Sequence, residues 1–275
     1  MRIYITGHRG QLGRVLMARL PDAVGGDLPE LDITDPASID AAVAEAAPDL
    51  IIHCAAMTDV EGAARDPALA YRINGLGTQN VALAAARAGA ALVHISTNEV
   101  FNGAGDRPYF EFDAPAPINP YARSKLAGEW FASHLLSRFY IVRTAWLSAR
   151  GGRNFVHRIL EIARSGQPLR VVTDEVANPT FVDDLADALV KLIATRRYGL
   201  YHLTNSGHCS RYDYACRILA LAGVAGVAVT PITLADYPRA STPPPFAPLA
   251  NTAAAALGIT LRPWEEALAD FLNQT

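Results

Sequence analysis

Residues 1–20 read MRIYITGHRGQLGRVLMARL, and this stretch decides the fold. Arg2–Thr6 is a short apolar run that ends at a glycine, and beyond it Leu12, Val15, Leu16 and Leu20 recur at helical spacing. The reading is a strand, a tight turn and a helix over Gln11–Leu20. Within the turn, TGHRGQLG, Gly7, Gly10 and Gly13 follow one another at intervals of three. Glycines there let the chain turn sharply and bring backbone N–H groups at the helix start up to an anion, as a dinucleotide pyrophosphate requires. Asp27 lies 20 residues beyond Gly7, at the expected end of the second strand, where a carboxylate would bind a ribose 2′-hydroxyl. No Lys or Arg follows it closely to receive a 2′-phosphate, which leans towards NADH over NADPH as the coenzyme.

The alternation continues outward from this unit. Asp49–Ala55, Ala91–Ser96 and Phe139–Thr144 read as buried strands, and Pro67–Ala88 and Pro120–Ser137 as helices between them. Near-continuous apolar strands separated by helices predict an α/β fold, a Rossmann-like doubly wound parallel sheet covered on both faces. After about Ala145 the pattern loosens. Helices are expected over Asn154–Ser165, Phe181–Thr195, Arg211–Ala222 and Pro263–Leu272, with short strands at Arg170–Val172 and Leu200–Leu203. Residues 1–150 are therefore expected to form the dinucleotide-binding domain, with the elements of Leu169–Leu203 returning to it, and residues 151–275 mainly a smaller substrate-binding lobe. The prolines of Tyr237–Pro248, YPRASTPPPFAP, fit neither a ladder nor a helix, so this segment reads as a loop on the surface of that lobe.

Composition excludes several classes. A chain of 275 residues with 51% hydrophobic and 19% charged side chains can bury a core and lies far from the disordered regime. Lys and Arg number 24 against 27 Asp and Glu, with no basic run longer than Arg196-Arg197, so nucleic acid is not an expected partner. Apolar stretches break well before 18 residues and the N-terminus runs into glycines, which predicts a protein with neither membrane span nor signal peptide, at home in the cytoplasm. Cys54, Cys209 and Cys216 suggest neither a disulfide framework nor a zinc knuckle. His202, His208 and Cys209 cluster without the carboxylate or second cysteine a four-ligand site needs, so no metal is expected.

Chemistry is carried by Tyr121 and Lys125 in YARSK, four residues apart at a helix start and so on one face of it. A phenol is a poor acid or base near neutrality, but a nearby ammonium favours the phenolate and brings the hydroxyl into working range. The pair follows Ser96-Thr97 by 24 residues, and that dipeptide closes a predicted strand where open parallel sheets place ligands. A hydroxyl there could hold a substrate oxygen while Tyr121 supplies a proton.

These residues match the extended short-chain dehydrogenase/reductase pattern, and the chain most resembles the dTDP-4-dehydrorhamnose reductase family. The ordered segments carrying the resemblance are TGHRGQLG, LDITD (31–35), IIHCAAMTDVEGA (51–63), INGLGTQNVA (73–82), HISTNEVFNG (94–103), NPYARSKLAGE (119–129), RTAWL (143–147), NFVHRIL (154–160), NPTFVDDLA (178–186) and YHLTNSG (201–207). The resemblance implies a reductase that transfers hydride from NADPH or NADH to the 4-keto carbon of a nucleotide-linked deoxysugar. Thr97, Tyr121 and Lys125 would take the catalytic roles, Lys125 also binding the nicotinamide ribose. Gly7, Gly10, Gln11, Leu12, Asp32, Ile33, Ala55 and Ala56 would line the coenzyme. Trp146, Asn154 and the Asn178-Pro179-Thr180 turn would fall on the sugar-nucleotide side.

Two departures bear on substrate. Where the family usually reads Ser-Thr-Asp-Tyr, this chain has Ser96-Thr97-Asn98-Glu99, changing two positions that normally face the sugar. The related 4,6-dehydratases carry Thr-Asp-Glu there, and Asn98, unlike a carboxylic acid, cannot donate a proton, which argues against dehydration. The family's later Arg-Pro pair and following serine appear as Pro243-Pro244 and Ala247, losing a charge that would suit a nucleotide phosphate. An epimerase or dehydratase, and a non-catalytic NADP-binding subunit resembling the regulatory subunit of methionine adenosyltransferase, stand as alternatives. Some family members form homodimers with a divalent ion. No segment here demands either, and a homodimer stays open.

Overall fold

Alternate residues of each strand pack into different cores, and this places the sheet at the centre of the molecule. The computed structural model describes residues 1–273. In chain order the strands are β1 (Ile3–Thr6), β2 (Val24–Gly26), β3 (Leu50–His53), β4 (Ala91–Thr97), β5 (Phe139–Thr144), β6 (Leu147–Ser148), β7 (Leu169–Val172), β8 (Val176–Ala177), β9 (Thr180–Phe181), β10 (Gly199–His202), β11 (Cys209–Ser210) and β12 (Val229–Ile232). The helices are α1 (Gln11–Arg19), α2 (Pro36–Ala46), α3 (Val60–Arg65), α4 (Pro67–Ala70), α5 (Gly77–Ala88), α6 (Pro120–Leu135), α7 (Phe155–Arg164), α8 (Val182–Thr195), α9 (Arg211–Leu221), α10 (Thr252–Ala255) and α11 (Trp264–Asn273).

Six parallel strands form the main sheet in the order β10-β5-β4-β3-β1-β2. Ile3, Ile5, Leu50, Ile52, Val93 and Val142 pack with α1 and α8, whereas Tyr4, Ile51, Leu92 and Ile141 pack with α2 and α5. A period of two along each strand thus feeds two helical layers, which is why the strands read as unbroken apolar runs. Strand order reverses beside β1, so a crevice opens outside the C-terminal ends of β1 and β3, the usual ligand position in such sheets.

Of the expected returning stretch 169–203, α8 packs on α1 and β10 pairs with β5. Leu169–Val172 does not return: β7 pairs in parallel with β12, and its Leu169 and Val171 join α7, α9 and α11 in a separate core. Two other expectations are corrected. Pro67–Ala88 is not one regular helix, because a π-helical turn at Tyr71–Leu76 separates α4 from α5. Gly75 sits there against the Tyr71 ring, where a Cβ would come within 3.1 Å. Nor is Tyr237–Pro248 wholly a surface loop. Its second half is drawn inward, with Ser241, Pro243, Pro244, Ala247 and Pro248 buried and Ala247 donating its N–H to Val176 O. No helix among the described residues is long and apolar enough to cross a membrane.

Candidate active site

The crevice between β1 and β3 is built around glycine. Gly7 has φ +70°, and a Cβ on it would lie 2.6 Å from Ala55 N; one on Gly13 would lie 2.2 Å from Gly7 O. Both positions are therefore closed to any side chain, Gly7 by the turn and Gly13 by helix-to-turn packing. Gly10 is the N-cap of α1 and brings no side chain to its first-turn amides, whereas Asp35, Asn119, Asn154 and Ser210 cap α2, α6, α7 and α9. An uncapped helix start at a sheet switch point fits the pyrophosphate of a dinucleotide.

Around it, Leu12 and Ile33 give their side chains to the two cores, leaving only backbone for a ligand. Asp32 Oδ1 accepts hydrogen bonds from the Thr34 N–H and hydroxyl, both at 2.8 Å. Ala55 and Ala56 are half-buried after β3. Asp27 follows β2, but its carboxylate is engaged by Arg9 N (3.0 Å) and Leu28 N (2.9 Å). The basic residue not found after Asp27 arrives from the glycine turn instead: Arg9 donates to Leu28 O at 2.8 Å and pairs with Glu30 at 3.0 Å.

At the end of β4, Thr97 and Lys125 are buried and Tyr121 is half-buried. Asn119 fixes the start of α6 by accepting the Ala122 N–H at 2.8 Å, which sets Tyr121 and Lys125 one turn apart on the face turned to the sheet. The phenolate expected from the YxxxK spacing is not favoured here. Burial, and then the Glu99 carboxylate, push the Tyr121 hydroxyl well above its ordinary range, with Thr97 pulling weakly the other way. Burial also lowers the Lys125 ammonium to about 8, against the opposing pull of Glu129 and Cys54.

Several residues behind this site were not singled out from the sequence. His53 lies between the hydroxyls of Thr6 (2.7 Å) and Thr78 (3.1 Å); Thr78 donates to Asn74 O, Asn74 to Ser124 Oγ, and Ser124 to Tyr121 O. Glu129, one turn beyond Lys125, accepts from Arg143 at 2.6 and 2.9 Å and from Ser96 Oγ at 2.5 Å. The π-helical turn that carries Asn74 had a signal in the two glycines of INGLG, but partners on separate elements leave none in local spacing.

A cleft of about 960 Å³ opens into the C-terminal lobe, lined by Trp146, Asn154, Arg153, Arg158, Arg211 and Arg239 among others. Trp146 holds φ +42°, rare for a bulky residue, with the Arg211 guanidinium 3.6 Å from its ring centroid. Arg211 and Arg239 share buried Glu175, at 3.0 and 3.5 Å. Asn154 lines the cleft, yet its side chain caps α7 through His157 N and donates to Ala149 O. Three expected substrate residues belong instead to the framework. Asn178 bridges Gly207 O and Leu249 N, Thr180 is fully buried in β9, and Asn98 donates to Ala247 O at 3.1 Å. Glu99 remains in the site, its Oε2 accepting from Asn119 Nδ2 at 2.7 Å. No cluster among the described residues could hold a metal ion.

Comparison with known proteins agrees with this geometry. The family profile described as RmlD substrate binding domain matches residues 1–275. A dTDP-4-dehydrorhamnose reductase of Mycobacterium tuberculosis is 39% identical over 98% of this chain and 92% of its own. Spore coat polysaccharide biosynthesis protein SpsK of Bacillus subtilis is 36% identical over 99% and 97%. Among solved structures, the dTDP-4-dehydrorhamnose reductase of Bacillus anthracis in complex with NADP superposes with a TM-score of 0.96 at 40% identity, covering 100% of this chain and 99% of that one.

Proposed function

The chain belongs to the RmlD substrate binding domain family, and from that premise we propose that it reduces the 4-keto group of a nucleotide-linked deoxysugar of the dTDP-4-dehydrorhamnose type. It is an oxidoreductase of the NAD(P)H-dependent class. The observation that carries the reading is a hydroxyl pair, Thr97 and Tyr121, with the Lys125 ammonium one turn behind, at the strand ends between a glycine crevice and an arginine-lined cleft. The coenzyme, seated by the uncapped amides of α1 and the Gly7–Gly10 turn, supplies the hydride. Thr97 and Tyr121 hold the carbonyl oxygen by hydrogen bonds, and Tyr121 gives it a proton as the alcohol forms. A hydroxyl pushed up by burial suits this direction, since it still carries its proton when the ketone arrives.

Lys125 would hold the nicotinamide ribose. Arg9 beside Asp27 supports NADPH as well as NADH: a 2′-phosphate can take the guanidinium from exposed Glu30 at little cost. Arg211 and Arg239, with Trp146, supply charge and a flat surface for the nucleotide diphosphate. Arg239 restores at the cleft the charge lost where Pro243-Pro244 replace an Arg-Pro pair. Incubation of the purified protein with dTDP-4-dehydrorhamnose and either coenzyme should give ketone-dependent coenzyme oxidation and a 4-hydroxy product by NMR. No oxidation with either coenzyme would refute the reading.

A further inference from the structure

Arg239 reaches the cleft from a segment outside any helix or strand, so its guanidinium must be fixed by other means. Tyr237–Ala240 are exposed, and Ser241, though buried, has a hydroxyl without a hydrogen-bond partner among the described residues. The anchors are main-chain groups. Glu61 of α3, the helix that follows β3 of the main sheet, accepts the Ala240 N–H on Oε2 at 2.8 Å and the Ser241 N–H on Oε1 at 3.3 Å. One residue on, Asn119 of the α6 cap donates to Thr242 O at 3.1 Å. Ser241 O in turn accepts from Arg239 Nε at 2.9 Å, and Arg239 Nη1 lies 3.5 Å from Glu175 in the cleft. Fixing the two amides therefore fixes the direction in which the guanidinium points, and Glu61 Oε1 stands 3.9 Å from Nε itself.

We propose that Glu61 is a positioning residue for the nucleotide sugar: it aims Arg239 at the substrate diphosphate by holding the two amides on which that side chain turns. The proposal rests on the ketoreductase reading, which puts the diphosphate beside Arg211 and Arg239. Those two guanidinium groups share one buried carboxylate, Glu175, so the pair keeps a net positive charge for the diphosphate. Charge alone is not enough. The N–H groups must also point at the ligand, and an arginine on a free segment would lose backbone and side-chain freedom each time substrate bound. Glu61 removes that loss beforehand. Beyond Arg239 and the two amides, its carboxylate meets only Arg65 of its own helix, at 3.8 Å, among the described residues. Its influence therefore falls on substrate binding rather than on the hydride or proton step.

The test is a double-mutant cycle on dTDP binding, measured by calorimetry, with the kinetics of dTDP-4-dehydrorhamnose reduction beside it. Glu61→Ala and Arg239→Ala should each weaken dTDP binding about tenfold or more, the worth of one hydrogen bond to a charged group. In the Arg239→Ala background, Glu61→Ala should add less than about twofold, because it acts through the side chain already removed. For Glu61→Ala, KM should rise in step while kcat and NADP⁺ affinity stay within about twofold of wild type. Glu61→Gln, which puts an NH₂ group where one acceptor oxygen stood, should give a smaller loss of the same kind. Additive losses in the cycle, or a loss shared by NADP⁺, would make Glu61 a structural tie and overturn the proposal, as would a Glu61→Ala protein that binds dTDP like wild type. An Arg239→Ala protein with wild-type affinity would remove the diphosphate from Arg239, and the proposal with it, while leaving reduction of the ketone standing. A wild type that neither binds dTDP nor reduces the ketone overturns the ketoreductase reading and this proposal together.

Discussion

At the scale of single residues, the site turns on which groups keep their protons. In the proposed reduction Tyr121 acts as the acid and must arrive protonated, and burial together with the Glu99 carboxylate favours the protonated hydroxyl. The YxxxK spacing put Tyr121 and Lys125 on one face of α6 but suggested a phenolate, because spacing reports the ammonium four residues on and is silent about a carboxylate brought in from another element. Replacing Tyr121 with Phe removes only the transferable proton. Turnover should fall about 10²–10⁴-fold while coenzyme binding by calorimetry stays within about twofold of wild type; a Phe variant with wild-type turnover would assign the proton to another donor. The same blindness explains Asn98, Asn178 and Thr180. Their residue types suit a sugar site, but local sequence does not reveal that Ala247 O waits for Asn98, Gly207 O and Leu249 N for Asn178, and Asn178 O for Thr180.

At the scale of elements, helix α6 carries the argument. Tyr121, Lys125 and Glu129 recur every four residues and so form a line along one face, from the substrate end to the buried interior. Glu129 binds Arg143 of β5 and Ser96 of β4 at once, tying the helix to both strands just below Thr97. Its charge also opposes the burial that brings Lys125 down to about 8. Lys125 is therefore cationic below that value and loses its charge above it, so NADPH affinity should weaken as pH rises through about 8. Glu129→Gln should move that midpoint lower, and, by leaving Arg143 buried without its partner, should cost about 3–5 kcal/mol in stability. Glu129→Asp should recover part of both. Loss of stability with an unmoved midpoint would reduce Glu129 to a structural tie. Helix α6 itself was legible because Asn119-Pro120 marks its start. The tie to Arg143 was not, since nothing in periodicity pairs a helix residue with a strand residue 14 positions away.

At the scale of the whole molecule, the doubly wound sheet was legible because its strands are buried on both faces and so are apolar throughout. That same burial has a cost which the strand pattern conceals. His53 of β3, His94 of β4 and His202 of β10 all lie inside the main sheet, each no more than 2% exposed. Burial holds His53 and His202 down to about 3 and His94 well below its ordinary value, with the Lys125 charge adding to the effect at His53 and His94 and Arg143 at His202. The folded protein therefore keeps all three neutral where an unfolded chain, with histidines near 6.5, takes up protons. Stability from this source is complete above about pH 6.5 and is lost as pH falls towards 3, by about 1.4 kcal/mol per unit for each histidine and so about 4 kcal/mol per unit for three. Against a typical total of about 5–15 kcal/mol, the fold should be exhausted within about one to four units below 6.5. Urea unfolding at steps from about pH 7.5 to about pH 5 measures the slope. His94→Leu should flatten it by about a third, because that ring makes no hydrogen bond whose loss would confuse the comparison. Stability unchanged across that range would mean that the unfolded chain keeps these rings as dry as the sheet does.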